Sequence, residues 1–442
     1  VLTRFLLVIA LFVLTANGNA STVAPKRKPQ EYGAPKREAD AEEVLLWGPR
    51  VVFFPLWAVS EYVVRRPIGA FVVVAEREQW PLQVVSFFTF GERRQVRLYP
   101  SAFFDFGLKP SVGFNLSWKH FLAEPNTLRA HFGTWGPDWI AAKVVDTYEI
   151  DAQRSLSLEG GFTSRKDLPF FGMGPLSESD LSLRYQAMTA EVAASSEITF
   201  WRSSRFVSRV GFRSLGFGDG SCCGEPSVRS AVDAGAIPEP PGLDAGYAAA
   251  FQSLSLTLDT RRPRPEPGSG VRLEARGEGV FAPGSSRSER RSWISYGASA
   301  GAALDLGRAR AVALNVTADL IDPLIGTVPF TDQISLGGER PMRGFIRNRL
   351  IDRSALVGTL QYTWPVWVFL DGVVQADVGN VFGERFDGID AGLMRLSTGL
   401  GVRSNGDRDS RFEVLVAAGT DPFESGLRFS SFRFVIGSHH GF

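Results

Sequence analysis

From about residue 99 onward, apolar and polar residues alternate with a period of two in one segment after another. Leu254, Leu256 and Leu258 are interleaved with Ser255, Thr257 and Asp259; Val271, Leu273 and Ala275 with Arg272, Glu274 and Arg276; Val312, Leu314 and Val316 with Ala313, Asn315 and Thr317. In an extended chain successive side chains leave opposite faces, so each such segment is a strand with one apolar and one polar face. The pattern predicts strands at 99–107, 111–120, 126–134, 139–149, 153–163, 181–200, 204–215, 248–260, 269–281, 293–306, 309–321, 354–365, 367–382, 393–404, 410–419 and 430–442. That is an even set of sixteen, as single-chain bacterial barrels have. The long gaps at 164–180, 216–247 and 322–353 all fall on one side of such a barrel, and the turns at 307–308 and 366 on the other. Long outer loops with short inner turns are the asymmetry of membrane barrels, whereas a soluble sandwich shares only the period. The expected fold is therefore all-β: a 16-stranded antiparallel transmembrane β-barrel over residues 98–442.

The N-terminal part reads differently. Arg4 precedes the apolar run Phe5 to Leu14, and Gly18, Asn19 and Ala20 supply small residues at its exit, the order of a removed secretory signal over residues 1–20. Residues 21–97 form a linker and a short N-terminal periplasmic or plug segment. Within them Pro25 to Glu43 is rich in Lys, Glu, Pro and Ala, and Val44 to Val64 is apolar on all sides and broken at Pro49 and Pro55. Export to the outer membrane of a Gram-negative cell is the expected location.

Composition narrows the chemistry. The 442 residues carry a formal net charge of +1, which argues against a nucleic-acid partner. Mean hydropathy is close to zero, and after the leader no run of about twenty apolar residues occurs, so crossing by helices is not expected. A barrel hides in such averages, because lipid-facing and lumen-facing residues alternate. The adjacent Cys222 and Cys223 have no spacing for a zinc tetrahedron and are read as a vicinal disulfide or a pair of loop thiols. His120, His131, His439 and His440 make no triad. Gly297 to Gly301 matches G-x-S-x-G, but Ser299 lies mid-strand, where no nucleophile elbow forms. No enzymatic activity, catalytic residue, metal or cofactor is expected, and aromatics such as Trp364 and Trp367 are read as interfacial girdles.

Three glycine-rich fragments stand out: I-S-L-G-G-E-R-P-M-R-G-F from Ile334 to Phe345, Q-A-D-V-G-N-V-F from Gln375 to Phe382, and the turn running from Leu258-Asp-Thr-Arg-Arg to Pro267-Gly-Ser-Gly270. The first lies between the eleventh and twelfth predicted strands and the third between the eighth and ninth. In combination they resemble the barrel domain of the BamA/TamA outer-membrane assembly family over roughly residues 98–442. The resemblance implies that the R-G-F loop folds back into the lumen, with Arg343 paired to Asp377 on the inner wall of the thirteenth strand. Parity agrees, since Val374, Ala376 and Val378 share one face and Gln375, Asp377 and Gly379 the other. Gly344 would allow close backbone approach, Phe345 would wedge the loop, and Gly337 and Gly338 are its turn glycines. Gln361 stands where the family offers an inward glutamate. Phe432, Phe434, Ile436 and Phe442 share one parity and resemble the aromatic C-terminal assembly signal, although His440 occupies a slot that is usually aromatic. The POTRA repeats that precede the barrel in closer relatives are not recognisable in residues 21–97.

The function implied is assistance in inserting or translocating outer-membrane or secreted proteins. It would act through a weak seam between the strands near 99–107, flanked by Pro100 and Pro110, and 430–442. Outer-membrane lipid, client outer-membrane proteins and accessory periplasmic proteins are the implied partners. The alternative is a structural barrel or plugged pore without insertase activity.

Overall fold

The computed structural model describes residues 86–440, except 106, 178–179, 244, 262–268, 285, 287–288, 308–309, 339–340, 368–369 and 405–409, together with Tyr62 and Arg66. The leader at 1–20, the linker at 21–43 and Phe442 lie outside the described residues.

A short β1 (Thr89–Phe90) is followed by β2 (Val96–Asp105), β3 (Ser111–Lys119), β4 (Asn126–Thr134), β5 (Trp139–Glu149), β6 (Arg154–Phe170), β7 (Leu183–Trp201) and β8 (Ser204–Asp219). After helix α1 (Val228–Asp233) come β9 (Tyr247–Asp259), β10 (Gly270–Ala282), β11 (Arg291–Asp305) and β12 (Ala311–Ile325). A long loop holds the small hairpin β13 (Ile334–Leu336) and β14 (Leu350–Asp352). The chain ends with β15 (Ser354–Trp367), β16 (Leu370–Phe382), β17 (Arg395–Ser404), β18 (Ser410–Thr420) and β19 (Phe429–His440). Neighbours in sequence pair antiparallel from β2 to β12, β12 skips the hairpin to pair with β15, and pairing continues to β19. β9 pairs with β10, and β19 pairs with β2. The fold is all-β.

The strand positions foreseen from alternation fall on strands, but three run further at the ends that lead into the long loops: β6 to Phe170, β8 to Asp219 and β12 to Ile325. Alternation fails there for a physical reason. From Leu168 to Phe170 successive residues are buried, because loops cover both faces, so the chain no longer has a solvent-distinguished side. A register shift between Arg165 and Leu168 adds to the loss of period. β2 begins at Val96 rather than at residue 99, because β1 folds back on it, Thr89 opposite Arg97 and Phe90 opposite Val96.

The distribution of polarity is inverted relative to a water-soluble β protein. Leu158, Val192, Val210, Phe212, Leu314 and Val416 face outward and are exposed. The opposite face carries charge: Arg209 is bonded to Glu159 and Glu191, and Arg213 reaches Glu191 at 3.0 Å and Glu278 at 2.9 Å. Phe251 lies under both guanidiniums. Ser299 sits mid-strand in β11 opposite Thr317, without the strand-to-helix turn of a hydrolase elbow.

Apolar packing is concentrated at the end carrying the long loops. Phe170, Leu183, Tyr185, Leu215, Phe330 and Ile351 form one cluster with Val228 and Ala231 of α1, whose N-terminus is capped by Ser227. Arg184 stitches this cap, donating to the carbonyls of Asp167 at 2.8 Å and Gly107 at 3.1 Å and pairing with Glu225. Arg165 forks onto Asp167 at 2.9 and 2.7 Å. Cys222 and Cys223, in the same loop region, are joined as a disulfide, which decides between the two readings of the pair.

Candidate functional site

The segment between β12 and β15 folds back against the inner wall, and its glycines make the fold possible. Gly337 and Gly338 have φ of +97° and +72°, in the left-handed region that side chains disfavour. Their amides close the turn, Gly337 donating to the Pro341 carbonyl at 3.0 Å and Gly338 to that of Phe345 at 2.8 Å. Gly344 touches the wall: a Cβ there would lie 2.1 Å from the carbonyl oxygen of Ala418. Its amide donates to Ser397 Oγ at 2.8 Å, and its carbonyl accepts from Ser431 Oγ at 2.8 Å. Phe345 is fully buried among Leu336, Met342, Leu350, Val357 and Val381, with its ring over Gly419, where a Cβ would sit 2.5 Å from ring atoms. Gly344 thus lies in close contact with β18, and Phe345 packs into the apolar cluster beside it.

Asp377 lies on the inward face of β16, 1% exposed, while Val378 faces out, as parity required. It accepts from Thr359 Oγ1 at 2.8 Å, from Gln375 Nε2 at 2.8 and 3.0 Å, and from Ser397 Oγ at 3.3 Å. From the loop it accepts the backbone N–H of Met342 at 3.2 Å. The main-chain amide of Met342, one residue before Arg343, thus holds the loop to this acid. Thr359 and Gln375 supply further hydrogens to the carboxylate from the neighbouring wall positions. Gln361 lies in β15 opposite Gln375, part-exposed.

A further arginine ties the last strand to the first and to the loop. Arg433, on β19 and 4% exposed, forks onto Asp105 of β2, Nε to Oδ1 at 2.7 Å and an Nη to Oδ2 at 2.5 Å. Its other Nη donates to the carbonyl of Gly338 and, at 3.2 Å, to that of Arg343. Sequence reasoning treated β19 by its outward aromatics and passed over this inward residue. The available signal was a charged residue between Phe432 and Phe434, the one cation placed on the lumen parity beside the aromatic signal. Phe432 and Phe434 do face outward, 71% and 37% exposed. Ile436 lies on β19 opposite Phe104.

The backbone pairing between β19 and β2 comprises Val435 with Asp105, Ile436 with Phe104 and Gly437 with Phe103. The adjacent β18–β19 ladder runs from Ser410 with His440 to Thr420 with Phe429. Among the described residues the first and last strands thus meet over a shorter ladder than their neighbours, and the docked loop lies beside that junction.

Comparison with known proteins agrees with this geometry. Residues 242–437 match the Omp85 superfamily domain, a span that includes both the docked loop and the last strands. BamA from Haemophilus ducreyi lacking POTRA domains 1–3 is similar in fold, with a TM-score of 0.53 at 13% identity over 78% of this chain and 70% of that one. CdiB from Acinetobacter baumannii gives 0.49 at 11% identity over 78% of this chain and 59% of that one. A search of curated proteins returned no match. The fold resembles that of the BamA barrel, and the match to the Omp85 superfamily domain covers the C-terminal part of the chain.

Proposed function

We propose that this chain is an outer-membrane β-barrel of sixteen strands, β2 to β12 and β15 to β19, which assists insertion or translocation of outer-membrane or secreted proteins through the β2/β19 seam. Membrane residence is supported by the inverted polarity. Outward Leu, Val and Phe side chains would be costly in water over so large an area, whereas lipid accepts them and the charged inner face keeps to the lumen. Among the described residues no helix is long and apolar enough to cross a bilayer. The pairings of β9 with β10 and β19 with β2 support closure of the sheet.

The observation that carries the insertase reading is the short seam. Three residue pairs among the described residues hold the seam less firmly than the longer neighbouring ladders, and separation exposes strand edges to which a client strand can add by backbone pairing. Clients are then outer-membrane proteins, received from accessory periplasmic factors. Crosslinking Phe104→Cys to Ile436→Cys, with Cys222 and Cys223 replaced by Ser, tests it: locking should abolish client insertion into liposomes, and reduction should restore it. Full activity in the locked form would reject the seam mechanism. The capped outer end favours a second reading, a plugged structural barrel; that protein would show no insertion with the seam locked or free.

A further inference from the structure

We propose that Arg433 is the positioning residue that ties the loop at 334–352 to the seam, so that seam opening and loop release are coupled. The functional sense of this coupling rests on the seam reading above, but the coupling itself is a property of the folded chain and can be measured without a client.

The geometry leaves Arg433 a divided task. One edge of its guanidinium grips a carboxylate on the first strand, and another grips two main-chain carbonyls of the loop. Asp105 and Arg433 are 2% and 4% exposed, so neither charge can turn to bulk water while the seam is shut. Among the described residues Asp105 is linked to the loop through Arg433. Beside it, Ser431, two residues earlier on the same inward parity, holds the Gly344 carbonyl. The last strand therefore carries both of these loop contacts, and among the described residues the first strand meets it through the Asp105–Arg433 ion pair and three backbone pairs, with Phe103 packed on Leu415 and Ala417 of β18.

Two consequences follow from the chemistry of a planar, always charged fork. When β2 separates from β19, water reaches Arg433 and competes for its hydrogen bonds, so its hold on the loop carbonyls weakens. When the loop departs, one Nη of Arg433 is left without its carbonyl acceptors beside the closed seam, which makes the shut state of the ion pair less favourable. Each event makes the other easier, and by thermodynamic linkage the effect is reciprocal. Asp105 has no such double duty, so its removal should act on the seam first.

The test uses the full-length protein in liposomes and two readouts. Seam closure is the yield of a brief oxidative crosslink between Phe104→Cys and Ile436→Cys in the background lacking Cys222 and Cys223. Loop docking is the rate of proteolysis within 334–352. Arg433→Gln should lower crosslink yield and raise loop cleavage together, each by roughly tenfold or more, the scale of losing a partner of a buried charge. Asp105→Asn should lower crosslink yield with a clearly smaller change in loop cleavage. Arg433→Lys keeps the charge but not the fork, and should restore the crosslink more than the loop protection. The proposal is overturned if Arg433→Gln moves only one readout, or if Asp105→Asn exposes the loop as much as Arg433→Gln does. Should Arg433→Gln fail to fold, the contrast between Asp105→Asn and Arg433→Lys decides. Loss of coupling leaves the insertion assay of the locked seam untouched, and failure of that assay leaves the coupling untouched, so the two ideas fall separately.

Discussion

At the scale of single residues the loop is held by hydrogen bonds gathered on a few wall groups. Asp377 gathers Met342, Thr359, Gln375 and Ser397 on one carboxylate. Asp377→Ala should leave those donors without their acceptor in a buried place, a local cost of about 1–3 kcal/mol. Hydrogen exchange across 334–352 should speed up accordingly while the strands stay protected; unchanged exchange would show that the acid does not anchor the loop. Gly344→Ala probes the same docking by sterics. With 2.1 Å to the Ala418 carbonyl, the methyl cannot be accommodated without displacing the loop from β18. Here too cleavage of the loop should rise, and a loop still protected in this variant would contradict the close approach.

At the scale of elements, orientation is the open quantity, and it follows from which ends carry the loops. The turn at 150–153 between β5 and β6 is short, with the Asp151 carboxylate accepting the amides of Gln153 and Arg154 at 2.8 Å each. A partner such as Arg154 holds the Asp151 carboxyl below the usual carboxylate range. The connection between β8 and β9, by contrast, contains α1 and the disulfide. An epitope placed at Gly235 should be labelled on intact cells, whereas one at Ala152 should need a permeabilised outer membrane. Reversed labelling would invert the proposed topology. The disulfide offers a second check on the same connection: Cys222 and Cys223 should resist alkylation in the purified protein until a reductant is added.

At the scale of the whole molecule the two ends are unequal. The loop end is roofed by the cluster around Phe330 and Tyr185 and stitched by Arg184 and Arg349, the latter donating to Ser177 Oγ at 2.8 Å and to the Ser177 carbonyl at 2.9 Å. Burial, and then the charge of neighbouring Arg395, push the Arg349 pKa down to about 9, which still leaves it charged at neutral pH. A roof of this kind should keep the lumen from conducting. In planar bilayers the intact protein should show no steady open channel, and removal of 220–240 should raise conductance; a stable large conductance in the intact protein would argue against a sealed outer end.

Much of this architecture was legible along the chain. Strand identity, parity and loop asymmetry follow from a two-residue period, because a membrane barrel separates lipid from lumen at every other residue, and the sequence must record that choice locally. Asp377, Gly344 and Phe345 were legible for the same reason, as inward or loop positions with unusual residue types. The partner of a charge was not. Arg343 and Arg433 are both plausible forks in sequence, and only the curvature that brings β19 against β2, and the loop against both, decides that Arg433 meets Asp105, 328 positions away in the chain. Local pattern fixes which face a side chain takes; which other face it meets is set by closure of the sheet and the path of a returning loop, and those are properties of the tertiary structure alone.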